Sequence, residues 1–225
     1  MILVKKNIKN FVISICLVIV AIVYTFLVKT IDVQQIGPNN SSVGFAKINS
    51  SFANVIGSNM TIYKITEILG LIALLVAGLY AFKGIIQLIK KKNIFKVSPE
   101  ILVVGGLYVV VIMIYVFFEK IIVNYRPVLI DNVLEASYPS SHTMLAICIC
   151  VSSIMINKYL FKDKNVIKYF NMLDILLLIT IVSGRILSGV HWLSDIIGGV
   201  IISLALLMIF KSVLDLIKYK ENSGK

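Results

Sequence analysis

The stretch Ile101 to Phe118, ILVVGGLYVVVIMIYVFF, carries no charge and no polar side chain beyond two tyrosine hydroxyls. As a helix rising about 1.5 Å per residue it is long enough to cross most of the ~30 Å hydrocarbon core of a bilayer. Five more stretches read the same way: Phe11 to Val28, Ile65 to Ile89, Thr143 to Ile156, Phe170 to Leu187 and Ile196 to Phe210. The Thr143 span is short and is expected to run on through Asn157 to Phe161, with Lys158 reaching the interface. The chain as a whole is 59% hydrophobic and only 15% charged, which excludes a soluble domain with a polar surface. An all-α fold follows: a polytopic membrane bundle of six transmembrane helices forming one domain over residues 1–225. The first span follows Lys5, Lys6 and Lys9 as a signal peptide would, but no small-x-small cleavage site follows it, so it is read as a retained helix.

The segments between the spans explain the net charge of +11. Lysines crowd the amino terminus (Lys5, Lys6, Lys9), the second connection (Lys83, Lys90, Lys91, Lys92, Lys96), the fourth (Lys158, Lys162, Lys164, Lys168) and the carboxyl terminus (Lys211, Lys218, Lys220, Lys225). The opposite side holds Lys29, Lys47, Lys64, Lys120, Arg126 and Arg185. This alternation predicts cytoplasmic termini and an extracytoplasmic face at the other end. The charge then reports orientation, and no nucleic-acid partner is expected. Lysine, isoleucine and asparagine richness suggests a bacterial source, hence a plasma membrane. Cys16, Cys148 and Cys150 all lie in apolar stretches without ligand spacing and are read as packing residues, with neither disulfide nor metal.

The first outer connection, residues 29 to 64, contains the turn signal Gly37-Pro38-Asn39-Asn40 and then Phe45, Ile48, Phe52, Val55 and Ile56 at helical spacing, which fits a short interfacial helix, with a partly ordered loop as the competing reading. Its sequons, such as Asn49-Ser50-Ser51, matter only in a glycosylating host. Gly70, Gly78, Gly105 and Gly106 are expected to serve close helix packing.

Both arginines, both histidines and the only tryptophan, Trp192, fall in the two remaining outer connections and their edges. Arginine, where lysine is otherwise the default cation, suits bidentate contact with phosphate or carboxylate oxygens. His191 and Asp195 are four apart at the start of the last span, on one helix face, where a carboxylate can hold the imidazole Nδ1–H and leave Nε2 free as base or nucleophile. A His/Asp metal pair and a merely structural pair are the competing readings, and no other carboxylate shows ligand spacing. His142 follows Pro139-Ser140-Ser141 at a helix start, where unpaired N–H groups favour an anion and an imidazole can protonate a leaving oxygen.

Arg126-Pro127, Pro139-Ser140-Ser141-His142 and Arg185 with His191 and Asp195 resemble the three motifs of the type 2 phosphatidic acid phosphatase (PAP2) family, integral-membrane lipid phosphate phosphatases. The resemblance covers about residues 119 to 200 and implies an activity and a set of roles. His191 would attack phosphorus to form a phosphohistidine, Asp195 would orient it, and His142 would protonate the departing lipid oxygen. Arg126, Arg185, Lys120 and the backbone near Ser140 and Ser141 would hold the phosphate, with no metal and no cofactor. The partner would be a phosphorylated lipid among membrane lipids: phosphatidate, phosphatidylglycerol phosphate or undecaprenyl diphosphate.

Three positions depart from the family pattern. The first-motif lysine position holds Glu119, with Lys120 one residue later and so rotated by about 100° on a helix. Ser141 stands in place of the usual glycine, and Gly184 in place of the serine before Arg185. Two rivals remain: a transporter or channel binding an anion without chemistry, and a binding protein for a lipid phosphate. A transporter needs polar groups near the midplane, and here Glu67 and Asp174 lie close to predicted span ends.

Overall fold

The computed structural model describes residues 2–223. Of the lysines in the charge alternation, Lys225 lies outside them, as do the side chains of Lys5 and Lys6. Among the described residues six helices are long and apolar enough to cross a membrane: α1 (Ile2–Thr30), α3 (Met60–Lys91), α4 (Pro99–Lys120), α5 (Ser141–Leu160), α6 (Lys164–Ser188) and α7 (Leu193–Ser223). The protein is an integral membrane protein. The short α2 (Ala46–Ile56) lies in the connection between α1 and α3, after a 3-10 turn at Pro38–Asn40 where Gly37-Pro38 predicts one.

Apart from α5, which ends at Leu160 close to its expected limit, the spans are longer than the sequence predicts. The largest extension is in α7, where Lys218 pairs with Glu100 of α4 and, at 2.8 Å, with Glu221. The ends are set by local chemistry: Asn59 caps α3 through its side chain on Ile62 N at 3.0 Å, and Asp163 caps α6 on Asn165 N at 2.7 Å. Pro99 opens α4 at a position that needs no N–H, and Gly189 closes α6 in the left-handed region at φ 62°.

The bundle is built around α5, which touches α3, α4, α6 and α7, while α1 packs along α7. This central place explains why α5 is the least apolar span on paper. Ser152, Ser153 and Asn157 are wholly buried and serve one another and their neighbours: Tyr80 Oη donates to Asn157 Oδ1 at 2.6 Å, and Asn157 Nδ2 donates to Asn171 Oδ1 at 2.8 Å. Asp174 belongs to this cluster and corrects the sequence reading. It lies well inside α6, fully buried, and accepts from Ser153 Oγ at 2.5 Å. The glycine expectation holds only in part. A methyl group built on Gly70 would press on His142, whereas Gly78, Gly105 and Gly106 face open space with nothing within 4 Å.

Helix α2 is present, but the residues that seat it differ from those its apolar spacing suggests. It buries Ala46 and Asn49 and leaves Ile48 and Val55 exposed. The Asn49 amide explains this: Nδ2 donates to Gly44 O at 2.7 Å and to Ser194 Oγ at 2.9 Å, while Oδ1 accepts from Ser194 N at 3.1 Å. A side chain so saturated is no glycan acceptor.

Candidate active site

The connections α1–α3, α4–α5 and α6–α7 all lie at one end of the bundle, and the chemistry-bearing residues meet there. His191 sits in the four-residue link between α6 and α7, shaped by Gly189, where a side chain would run into Gly57 O. Asp195 follows in the first turn of α7. Its Oδ2 accepts from Trp192 N at 3.0 Å, and its Oδ1 accepts from Asn124 Nδ2 at 3.0 Å. Asn124 in turn accepts from Gly44 N at 3.0 Å, so all three connections at this end are tied to one buried carboxylate.

Asp195 Oδ2 faces His191 Nδ1 across 4.0 Å, longer than a hydrogen bond. The ring tautomer is set from its other side. Arg126 Nη1 lies 3.3 Å from His191 Nε2, and a guanidinium can only donate, so Nε2 carries its lone pair and Nδ1 its hydrogen. Burial, first, and then the charges of Arg126 and Arg185 hold the His191 imidazole well below the ordinary histidine range; His142 adds to this and the Ser137 backbone opposes it. The result is a neutral ring with an unprotonated Nε2.

Two guanidiniums bear on this ring, Arg126 in contact with it and Arg185 through its charge. Arg126 sits where residues 125 and 136 pair as a short antiparallel bridge, and its Nε lies 3.0 Å from Glu135 Oε2. Arg185, near the end of α6, is wholly buried; its Nη2 donates to Glu67 Oε1, while Nε and Nη1 have no partner. The Tyr63 ring lies 5.0 Å from the Arg185 guanidinium and 6.0 Å from that of Arg126. His142, in the first turn of α5, places Nε2 3.3 Å from the same Glu67 oxygen. Gly70, one turn further along α3, leaves the room for it: a methyl group there would lie 2.7 Å from His142 Cδ2.

A cavity of about 500 Å³ opens onto this cluster, lined by Tyr63, Glu67, Glu119, Arg126, Glu135, Ser141 and His142 among others, and a smaller recess runs from Glu119 and Arg126 to His191. The structure therefore brings together His191, Asp195, His142, Arg126, Arg185 and Ser141. It does not bring in Lys120, which is exposed at the end of α4 and outside the lining, while Glu119 faces the cavity. The one-residue offset in the sequence is an orientation reversal in space. Ser140 stands behind the site: its N–H donates to Asp195 O at 3.0 Å and its hydroxyl pairs with Thr143 at 3.0 Å, so only the amides beyond it can face a ligand. Gly184 is explained by packing, since a side chain there would strike Thr66 Cγ2 at 2.4 Å.

Sequence reasoning missed Glu67, Glu135, Asn49 and Asn124. The carboxylates have no motif spacing and act on partners far along the chain, and a buried asparagine looks like any loop asparagine. Among the described residues no group of His, Cys, Asp and Glu has the makings of a metal site.

Comparison with known proteins bears on the family and the fold. A sequence model described as the PAP2 superfamily matches residues 69–218. The crystal structure of the first transmembrane PAP2 type phosphatidylglycerolphosphate phosphatase from Bacillus subtilis aligns with a TM-score of 0.61 at 16% identity, covering 91% of this chain and 96% of that one. No curated protein matches the chain significantly. On the match over two thirds of its length and the helical membrane fold it shares with that phosphatase, the chain belongs to the PAP2 superfamily of phosphoric ester hydrolases.

Proposed function

We propose that the chain removes a terminal phosphate from a membrane lipid at the extracytoplasmic face, through a phosphohistidine on His191. The observation that carries this reading is His191 lining the recess, its Nε2 3.3 Å from Arg126 Nη1. A phosphate entering the cavity takes its nonbridging oxygens to Arg126 and Arg185, both donor-rich and fixed. His191 Nε2 then attacks phosphorus in line with the ester oxygen, the P–O bond breaks, and the alkoxide takes a proton from His142. In the second half, His142 accepts a proton from water as that water attacks the phosphohistidine, which returns His191 and releases inorganic phosphate. Asp195 supports the charge that develops on His191 across the 4.0 Å gap. These cationic roles belong to arginines, so turnover is expected to be metal-independent.

The sidedness rests on the lysine alternation, which puts the four lysine-rich segments at the end of the bundle opposite this site. The structural neighbour is described as acting on phosphatidylglycerolphosphate, and at 16% identity it carries the fold rather than the substrate. Phosphatidate, phosphatidylglycerol phosphate and undecaprenyl diphosphate are the substrates to compare. Purified protein in EDTA is expected to release inorganic phosphate from at least one of them, and His191→Ala to release none. Retained turnover in that variant would overturn the mechanism.

A further inference from the structure

Glu67 stands where a ligand oxygen would bridge Arg185 and His142. One oxygen, Oε1, accepts from Arg185 and lies 3.3 Å from His142 Nε2. The two partners differ in freedom: the Arg185 side chain is 0% exposed and that of Glu67 is 40% exposed. Arg185 keeps two further donors, Nε and Nη1, buried and unpartnered. An anchored guanidinium with spare donors, held meanwhile by a half-exposed carboxylate, is arranged for exchange. The PAP2 match begins at residue 69, beyond Glu67.

We infer that Glu67 is a displaceable carboxylate that makes the site select terminal phosphates over the phosphodiester headgroups of the surrounding bilayer; the inference rests on the phosphatase reading. A phosphodiester carries one negative charge. Exchanging it for Glu67 replaces one monoanion by another and breaks an ion pair already formed, so the diester gains little. A terminal phosphate has a second pKa of about 6 and three free oxygens, so near neutral pH it approaches two charges and can serve the spare donors of Arg185 together with Arg126. Such discrimination matters because a site at the bilayer surface meets diester headgroups in large excess over any lipid with a terminal phosphate.

The test compares wild type with Glu67→Gln in detergent micelles holding phosphatidate, with phosphatidylglycerol or inorganic phosphate added as inhibitor. Phosphatidylglycerol is expected to inhibit the variant with an inhibition constant about tenfold below the wild-type value, and inorganic phosphate is expected to bind the variant more tightly. Equal inhibition of the two proteins, or stronger inhibition of the wild type, overturns the inference. Should the variant not fold, the wild type alone decides. Inorganic phosphate is expected to move the His142 Nε2 resonance in an ¹⁵N-histidine spectrum as Glu67 departs, and phosphatidylglycerol to leave it in place; movement with both, or with neither, contradicts the proposal. Absence of turnover in the wild type would strike the phosphatase reading, while the spectrum would still decide the role of Glu67.

Discussion

Asn124 offers a sharp test of how the site is held, because it acts on Asp195 without facing the cavity. It is wholly buried, donates to Asp195 Oδ1 at 3.0 Å and accepts from Gly44 N at 3.0 Å. Asn124→Ala removes a hydrogen bond to a charged group, worth about 1.5–3 kcal/mol, and leaves the Gly44 N–H without its acceptor. If about 2 kcal/mol of that falls on the transition state, phosphate release should drop roughly 30-fold. Asn124→Asp is nearly isosteric but sets one carboxylate against another at close to 3.0 Å. At an effective dielectric of about 20 that repulsion is on the order of 5 kcal/mol, before any relaxation. At neutral pH the order of activity should therefore be wild type, then Asn124→Ala, then Asn124→Asp. Phosphate release is measured on protein that elutes as a single species in detergent, so that loss of fold is separated from loss of function. If Asn124→Asp matched or exceeded Asn124→Ala, a charged Asp195 held by the Asn124 amide would be refuted.

Two further outcomes follow from the geometry. Gly70→Ala places a methyl group 2.7 Å from His142 Cδ2 and 3.0 Å from Nε2, so hydrolysis of a lipid phosphate should fall at least tenfold. Hydrolysis of p-nitrophenyl phosphate, whose leaving group needs little protonation, should fall much less, and equal losses would argue against His142 as the acid. His191 is held below the ordinary histidine value of about 6.5, so its ring should stay neutral through pH 6.5 and gain a proton only at lower pH. Stability linked to this group is then fully present above about pH 6.5 and lost as the pH falls toward the folded-state value. The protein has two histidines, so an ¹⁵N spectrum of untagged material at pH 6.0 reads this directly; a protonated His191 there would contradict the burial argument.

The spans were legible because lipid leaves few options: a run such as Ile101 to Phe118 must be a helix. The short helix near residues 46 to 56 was legible from its apolar spacing, yet that spacing named the wrong seat, since the Asn49 amide anchors it. Arg126, His142, Arg185 and His191 stood out because rare residue types cluster in two connections at one end of the bundle. Glu67 did not, because its meaning depends on Arg185, 118 residues away, and nothing local to α3 marks the pairing. The reversal between Glu119 and Lys120 could be seen as an offset in sequence, but only the orientation of α4 shows which of them faces the cavity. Asp174 lies near the end of the apolar run that begins at Phe170, but polar residues extend the helix back to Lys164, which puts the carboxylate well inside it.

The central claim is a phosphoryl group carried on His191 Nε2. Single-turnover mixing with a ³²P-labelled lipid phosphate, quenched in base where phosphohistidine survives, should leave label on the peptide containing His191 and none on that peptide in His191→Ala. Inorganic phosphate formed at the full wild-type rate while the chain never carries label would contradict the account.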